Sequence, residues 1–537
     1  MSFDLIIRNG RLIDGTGAPE RAADIGVRGD RIAAIGDLSA VSASREIDAG
    51  GHVVAPGFID AHAHSDAYLL LEPDAPSKLT QGVTTEINGQ CGGSAVPRLG
   101  LARLSSDWAS QRYPSLHASE TVLGPTWTTV TSYRELFDAI RPAINTVQFI
   151  GHNTLRAGVM GYEPRTATAD ELRDMCRRLE QALDEGGWGL TTGLLYQPGK
   201  HATDEEILTL ARVAAAQGGI YTTHMRSEGG RLLESIEEVL ALSRVTGIQM
   251  QVSHLKTSGK DNWGKIDAAL ALLNDARDEG LNVHADRYPY TAAGTDLDVV
   301  LPDWASAGGR DDILKNLRDP ATRTRVENEL NDSPRDWSTV MVGGGWSETS
   351  RAFGGHTVAE AASALGLTPG ETACRFIDAD DTRTGAFFFG MCEANLHRIY
   401  EQPWLMPCSD ASLRAPWGPL GQDHPHPRAY GTMPRFLRLM TGRVEGFAKI
   451  CAPEEAIRRM TSLPAQTFGI RDRGVLRKGA FADITVFNDA QFSDTATYAQ
   501  PHQFATGMRH VIVNGVVSYV DGRFTGERCG RFLTRVQ

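Results

Sequence analysis

The chain is 537 residues long, 41% hydrophobic and 22% charged, a globular balance too long for one ordinary core and too apolar for a chain dominated by disorder. Its formal net charge of −12, with no concentrated run of Lys or Arg, argues against nucleic acid as the main partner, because phosphate binding needs a basic face. No secretory-type leader opens the chain, no stretch approaches the roughly 18 apolar residues of a membrane span, and the seven cysteines are scattered, so a cytoplasmic, reducing environment without a membrane partner is expected.

In chain order, the first fifty residues alternate short β-rich runs (Leu5-Ile-Ile, Arg11-Leu-Ile, Ile25-Gly-Val, Arg31-Ile-Ala-Ala-Ile) with Asn-Gly, Asp-Gly and Gly-Asp turns. This is hairpin grammar. It returns near the C-terminus in Ala482-Asp-Ile-Thr-Val-Phe and His510-Val-Ile-Val-Asn-Gly-Val-Val, so residues 1–55 and 467–537 are expected to combine into one small β-sandwich domain.

Between them, strand-like runs alternate with amphipathic helical patterns. The runs are Val147-Gln-Phe-Ile-Gly, Gly189-Leu-Thr-Thr-Gly, Ile220-Tyr-Thr-Thr-His, Ile248-Gln-Met-Gln-Val-Ser-His and Leu281-Asn-Val-His-Ala-Asp. A helical pattern such as the one opening at Asp204-Glu-Glu-Ile-Leu carries an acidic first turn and apolar residues at three- and four-residue spacing. Repeated β-α units predict a parallel sheet with crossovers, and at this length a (β/α)8 TIM-like barrel over residues 56–466. The rhythm breaks at about 296–350, which predicts an insertion.

Several polar residues close apolar runs, where a barrel gathers its chemistry. His62-Ala-His64 follows Val53-Val-Ala-Pro-Gly-Phe-Ile-Asp-Ala, and residues i and i+2 of an extended chain share a face, so both imidazoles can reach one cation. Cys91 lies in the loop Asn88-Gly-Gln-Cys-Gly-Gly, where a thiolate can bind or bridge metal and where an inert buried thiol is the other explanation. His224 and His254 end the next suitable runs, and each alone is equally an ordinary hydrogen-bonded strand-end histidine. Asp410 ends Leu405-Met-Pro-Cys-Ser-Asp, where a carboxylate either moves a proton at a metal-bound water or caps a helix.

These motifs resemble the amidohydrolase superfamily, and within it the N-acyl-D-amino-acid deacylases or D-aminoacylases. The resemblance runs in family order from Ile7-Arg-Asn-Gly through Ala55-Pro-Gly-Phe-Ile-Asp-Ala-His-Ala-His-Ser-Asp, Cys91, Thr192-Gly-Leu-Leu-Tyr-Gln-Pro-Gly and Thr223-His-Met-Arg-Ser-Glu. It continues through Ser253-His-Leu-Lys, Tyr288-Pro-Tyr-Thr-Ala, Ser409-Asp and His424-Pro-His-Pro-Arg to Arg477-Lys-Gly-Ala-Phe-Ala-Asp-Ile. It implies one metal position at His62 and His64, another at His224 and His254, and Cys91 shared between them. It further implies one tightly bound zinc on the Cys91 side with a second, weaker site, Asp410 as general base and acid, and Tyr196, Lys256 and Arg428 as ligands of a substrate carboxylate.

The implied reaction is zinc-dependent hydrolysis of small-molecule N-acyl-D-amino acids to a carboxylate and a free D-amino acid. Two alternatives stand beside it: a cyclic amide hydrolase of the hydantoinase or dihydroorotase kind, and a non-catalytic scaffold barrel. The family pattern is interrupted between Asp410 and Arg428 by Ala411-Ser-Leu-Arg-Ala-Pro-Trp-Gly-Pro-Leu-Gly-Gln, a loop expected to border the site and to unsettle side-chain preference. Arg287 and Arg414 are expected to face solvent rather than to bind an acidic side chain.

Overall fold

The structure is a computed structural model and describes residues 2–102 and 127–535. Eight parallel strands form the barrel: Phe58–Asp60, Val83–Asn88, Asn145–Gln148 continued by Ile150–Gly151, Gly189–Gly193, Ile220–His224, Gln249–Val252, Val283–Arg287 and Leu405–Pro407. Each pairs with the next in parallel register. The ring closes beyond the ends of the last and first strands, where the Asp410 amide donates to the His62 carbonyl at 2.9 Å and the His64 amide to the Ala411 carbonyl at 3.3 Å. The fold is therefore the expected (β/α)8 barrel.

The helices obey the local rules that made them readable. Thr203 precedes the helix Asp204–Ala216, its hydroxyl accepts from the Glu206 amide, and Asp204, Glu205 and Glu206 complement the helix dipole in the first turn. The buried side of that helix is Ile207, Leu210, Ala211 and Ala214, the three- and four-residue spacing that lays one stripe on the barrel. Among the described residues no helix is long and apolar enough to cross a membrane.

Strands from both chain ends join in one nine-stranded sheet. Its seam is the antiparallel pairing of Val53–Pro56 with Ile484–Phe487, and Leu5, Ile7, Ile25, Ile47, Ile484 and Ile512 share one core. Because Val53–Pro56 runs almost directly into Phe58–Asp60, this sheet fixes where the first barrel strand begins.

Between the last two barrel strands the chain leaves the barrel and builds a separate core of Leu297, Ile313, Val326, Val340, Phe376 and Ala386, among others. The unit runs past residue 350 as far as Phe388, because Gly385–Phe388 is the middle strand of its sheet, flanked by Ala293–Asp296 and Val340–Val342.

Candidate metal centre

The chemistry-bearing side chains converge where the barrel strands end. His224 is the last residue of its strand, whereas His62, His254 and Asp410 lie just beyond theirs. Cys91, His254 and Asp410 hold left-handed backbone with φ of 53°, 37° and 46°, a region that costs non-glycine residues about 1–3 kcal/mol each. Backbone hydrogen bonds hold two of them there: His254 N to Asp286 Oδ1 at 2.8 Å and Asp410 N to the His62 carbonyl at 2.9 Å.

Cys91 Sγ is the hub. It lies 3.4 Å from His62 Nε2, 3.3 Å from His254 Nε2 and 3.7 Å from His224 Nδ1. Around the other end of the cluster, His62 Nε2 and His64 Nε2 are 3.3 Å apart, and Asp410 Oδ1 is 3.3 Å from the first and 3.1 Å from the second. Two sets of ligand atoms thus form, His62/His64/Cys91/Asp410 and Cys91/His224/His254, sharing the thiol. Tetrahedral zinc with Zn–N near ~2.0 Å and Zn–S near ~2.3 Å has ligand–ligand edges of about 3.5 Å, so the spacing suits such an ion.

The electrostatics agree. Burial works to raise the Cys91 pKa, but His62 and His254 pull it well below the usual thiol range, leaving a thiolate. Burial works to lower the His62 and His64 pKa values, yet the Cys91 thiolate and Asp286 hold His62 well above its ordinary value, and Asp410 and Cys91 raise His64 to about 9. Histidines driven to keep protons beside a half-buried thiolate mark a pocket with an excess of negative charge, which a divalent cation relieves.

Asp410 faces the cluster through one oxygen and Arg428 through the other, with Arg428 Nη1 2.8 Å from Oδ2. Despite burial, which acts to raise it, Arg428 together with His254 holds the Asp410 carboxyl well below the usual range. Lys256 Nζ donates to Glu228 Oε1 and to the His254 carbonyl at 3.1 Å, and lies 2.7 Å from His254 Nδ1. Tyr196 packs its ring against His224 with centroids 4.7 Å apart and accepts from Thr295 Oγ1 at 3.4 Å; burial pushes its phenol well above the ordinary range.

The structure therefore brings all nine sequence-derived site residues to one end of the barrel. It adds others. Tyr288 is buried between Arg428, whose Cζ is 4.6 Å from its ring, and Lys256, whose Nζ is 5.8 Å away, and its Oη has no hydrogen-bond partner among the described residues. Asp286 accepts from the His254 amide and lies 3.4 Å from His62 Nδ1. Lys78 is completely buried, 3.1 Å from Asp60 and 2.7 Å from Glu86, and bonds Ser409 Oγ at 3.0 Å, bracing the seam beneath Asp410. Tyr288 and Glu228 stood inside quoted motifs, but only the folded contacts give them a place.

Two expectations are corrected. Arg287 is buried at 1% exposure rather than solvated: its guanidinium stacks at 3.9 Å on Tyr288 and donates to the Tyr290 carbonyl. Strand alternation turns Asp286 into the barrel and Arg287 outward, and in a barrel the outward face is itself covered. Arg414 is also engaged, with Nε 3.0 Å from Asp423 and Nη1 donating to Ser412. The loop following Asp410 does border the site: Leu413 and Ala415 are buried, and the Leu413 amide donates to Ser65.

Comparison with known proteins converges on one family. The amidohydrolase family model matches residues 45–293 and 401–519. An N-acyl-D-glutamate deacylase of Alcaligenes xylosoxydans xylosoxydans is 37% identical over 99% of this chain and 97% of its own length. The crystal structure of an N-acyl-D-glutamate deacylase from Bordetella bronchiseptica, complexed with zinc and a phosphonate mimic of the tetrahedral intermediate, is 34% identical, with a TM-score of 0.82 over 100% of both chains. A D-aminoacylase studied for one-metal activation and second-metal attenuation at its binuclear centre is 35% identical, with a TM-score of 0.82 over 99% of this chain and 100% of its own.

Proposed function

The chain belongs to the amidohydrolase family, and from that premise we propose that it is a zinc-dependent deacylase that hydrolyses N-acyl-D-amino acids to a carboxylate and a free D-amino acid. The observation that carries the reading is the Arg428–Asp410 pair. It sets a carboxylate-binding cation directly against the carboxylate that serves the Cys91-centred cluster. A substrate that presents a carboxylate close to its scissile amide fits that arrangement.

Cys91, His224 and His254 would hold the firm zinc, and His62 and His64, with Cys91 shared, a second and weaker one. When bound, zinc supplies Lewis-acid polarisation of the amide carbonyl and lowers the pKa of water toward ~7. Asp410, kept ionised by Arg428, accepts a proton at Oδ1 and delivers it to the departing amine. Lys256, Arg428 and Tyr196 bind the α-carboxylate and so fix which face of the substrate meets the cluster. Residues 56–466 carry the catalytic barrel and 1–55 with 467–537 the small β-domain, an assignment supported by the sheet shared between the chain ends.

The test is a substrate panel. N-acetyl-D-amino acids with acidic and hydrophobic side chains should be hydrolysed and their L-enantiomers spared. Turnover of hydantoins or dihydroorotate, with none of N-acetyl-D-amino acids, would sink the reading.

A further inference from the structure

The mechanism leaves the Glu228 carboxylate, beside two of the site histidines, unused. Glu228 lies four residues past His224, and its side chain is only 10% exposed. Oε1 is 2.8 Å from His254 Nδ1, and Oε2 is 3.7 Å from His224 Nε2, a buried nitrogen with no hydrogen-bond partner among the described residues. Oε1 also accepts from Lys256 Nζ. In addition, the Glu228 carbonyl accepts from the Ser258 amide at 2.7 Å, so its loop and the loop bearing Lys256 are tied together.

For His254 to offer Nε2 to an ion beside Cys91, its proton must sit on Nδ1, where Glu228 Oε1 is the acceptor. Lys256 Nζ cannot then donate to Nδ1, although it lies 2.7 Å away. Its remaining partners are Glu228 and the His254 carbonyl, which leaves a donor for an incoming anion. His224 turns Nδ1 toward Cys91 and Nε2 toward the other Glu228 oxygen, at 3.7 Å a looser approach than that of His254.

We propose that Glu228 is a positioning residue that links zinc retention to carboxylate recognition, one side chain orienting both histidines of the Cys91 position and steering Lys256 toward the substrate. The proposal rests on the deacylase reading for its substrate half alone. A metal-ligating histidine stripped of its carboxylate partner loses about 10–100-fold in metal affinity. Glu228 would act on two histidines, and on the lysine as well.

The experiment compares wild type, Glu228→Gln, Lys256→Met and the double variant, each confirmed as folded by near-ultraviolet circular dichroism. Zinc retention is measured against a chelator, and kcat and KM with an N-acetyl-D-amino acid. Glu228→Gln should retain zinc about tenfold less tightly or worse and raise KM by at least about tenfold. Lys256→Met should raise KM yet keep zinc as tightly as wild type, and adding it to Glu228→Gln should raise KM little further. Wild-type zinc retention in a folded Glu228→Gln protein, or fully multiplicative KM effects, overturns the proposal. If wild type hydrolyses no N-acyl amino acid, the deacylase reading falls, and the chelator comparison still decides the role of Glu228 at the metal.

Discussion

Arg428 and Asp410 are ion-paired inside the site, Nη1 to Oδ2 at 2.8 Å, with both side chains at 10% exposure or less. The residue assigned to the substrate and the residue assigned to the proton are thus in direct contact. Removing the cation should disturb both binding and proton transfer.

Arg428→Ala is expected to raise KM and to shift the acidic limb of the kcat/KM profile to higher pH. Arg428 lowers the Asp410 pKa, so its loss raises that pKa, and the carboxylate becomes available only at higher pH. A charged hydrogen bond is worth about 1.5–3 kcal/mol, so kcat/KM at neutral pH should fall roughly 10–100-fold. An acidic limb that stays in place would separate Asp410 from that limb.

Asp410→Asn should lower kcat by about 10²–10⁴, the usual worth of a general acid or base, with little change in KM. Zinc at Cys91, His224 and His254 should be retained, because Asp410 belongs to the other set of ligand atoms. Metal analysis beside steady-state kinetics checks both halves.

Chelation should abolish hydrolysis, and added zinc should restore it. Because Cys91 is common to both sets, Cys91→Ala should empty both positions, whereas His64→Ala should spare the one at His224 and His254. Zinc at 100 times its Kd should stabilise wild type by about 2.7 kcal/mol and do nothing for Cys91→Ala, as read from thermal melts.

Lys78→Met should destabilise the fold without touching a metal ligand. It would strand Asp60 and Glu86, both completely buried, without their shared cation, at a cost of about 3–5 kcal/mol. A denaturant midpoint close to wild type would show that these carboxylates find another way to be neutralised.

The legible part of the molecule was its periodic part. His224 could be read because an apolar run delivers its last residue to the barrel mouth, and the helix at Asp204 because cap, acidic turn and stripe agree. Contacts that arise only on ring closure were not legible. Lys78 meets Asp60 and Ser409, 18 and 331 positions away, and nothing in its local sequence announces either. Arg287 misled for a related reason: a charged residue beside a strand end reads as solvated unless the covered outer face of the barrel is taken into account.

The seam between the first and last barrel strands also orders events during synthesis. Cys91, His224 and His254 have all been added to the chain some 150 residues before Asp410, a gap of about 8–30 s at 5–20 residues per second. A nascent chain therefore carries Cys91, His224 and His254 while it still lacks both Asp410 and the strand that shuts the ring. The last barrel strand and Asp410 just beyond it are thus made only after the three residues proposed to hold the firm zinc.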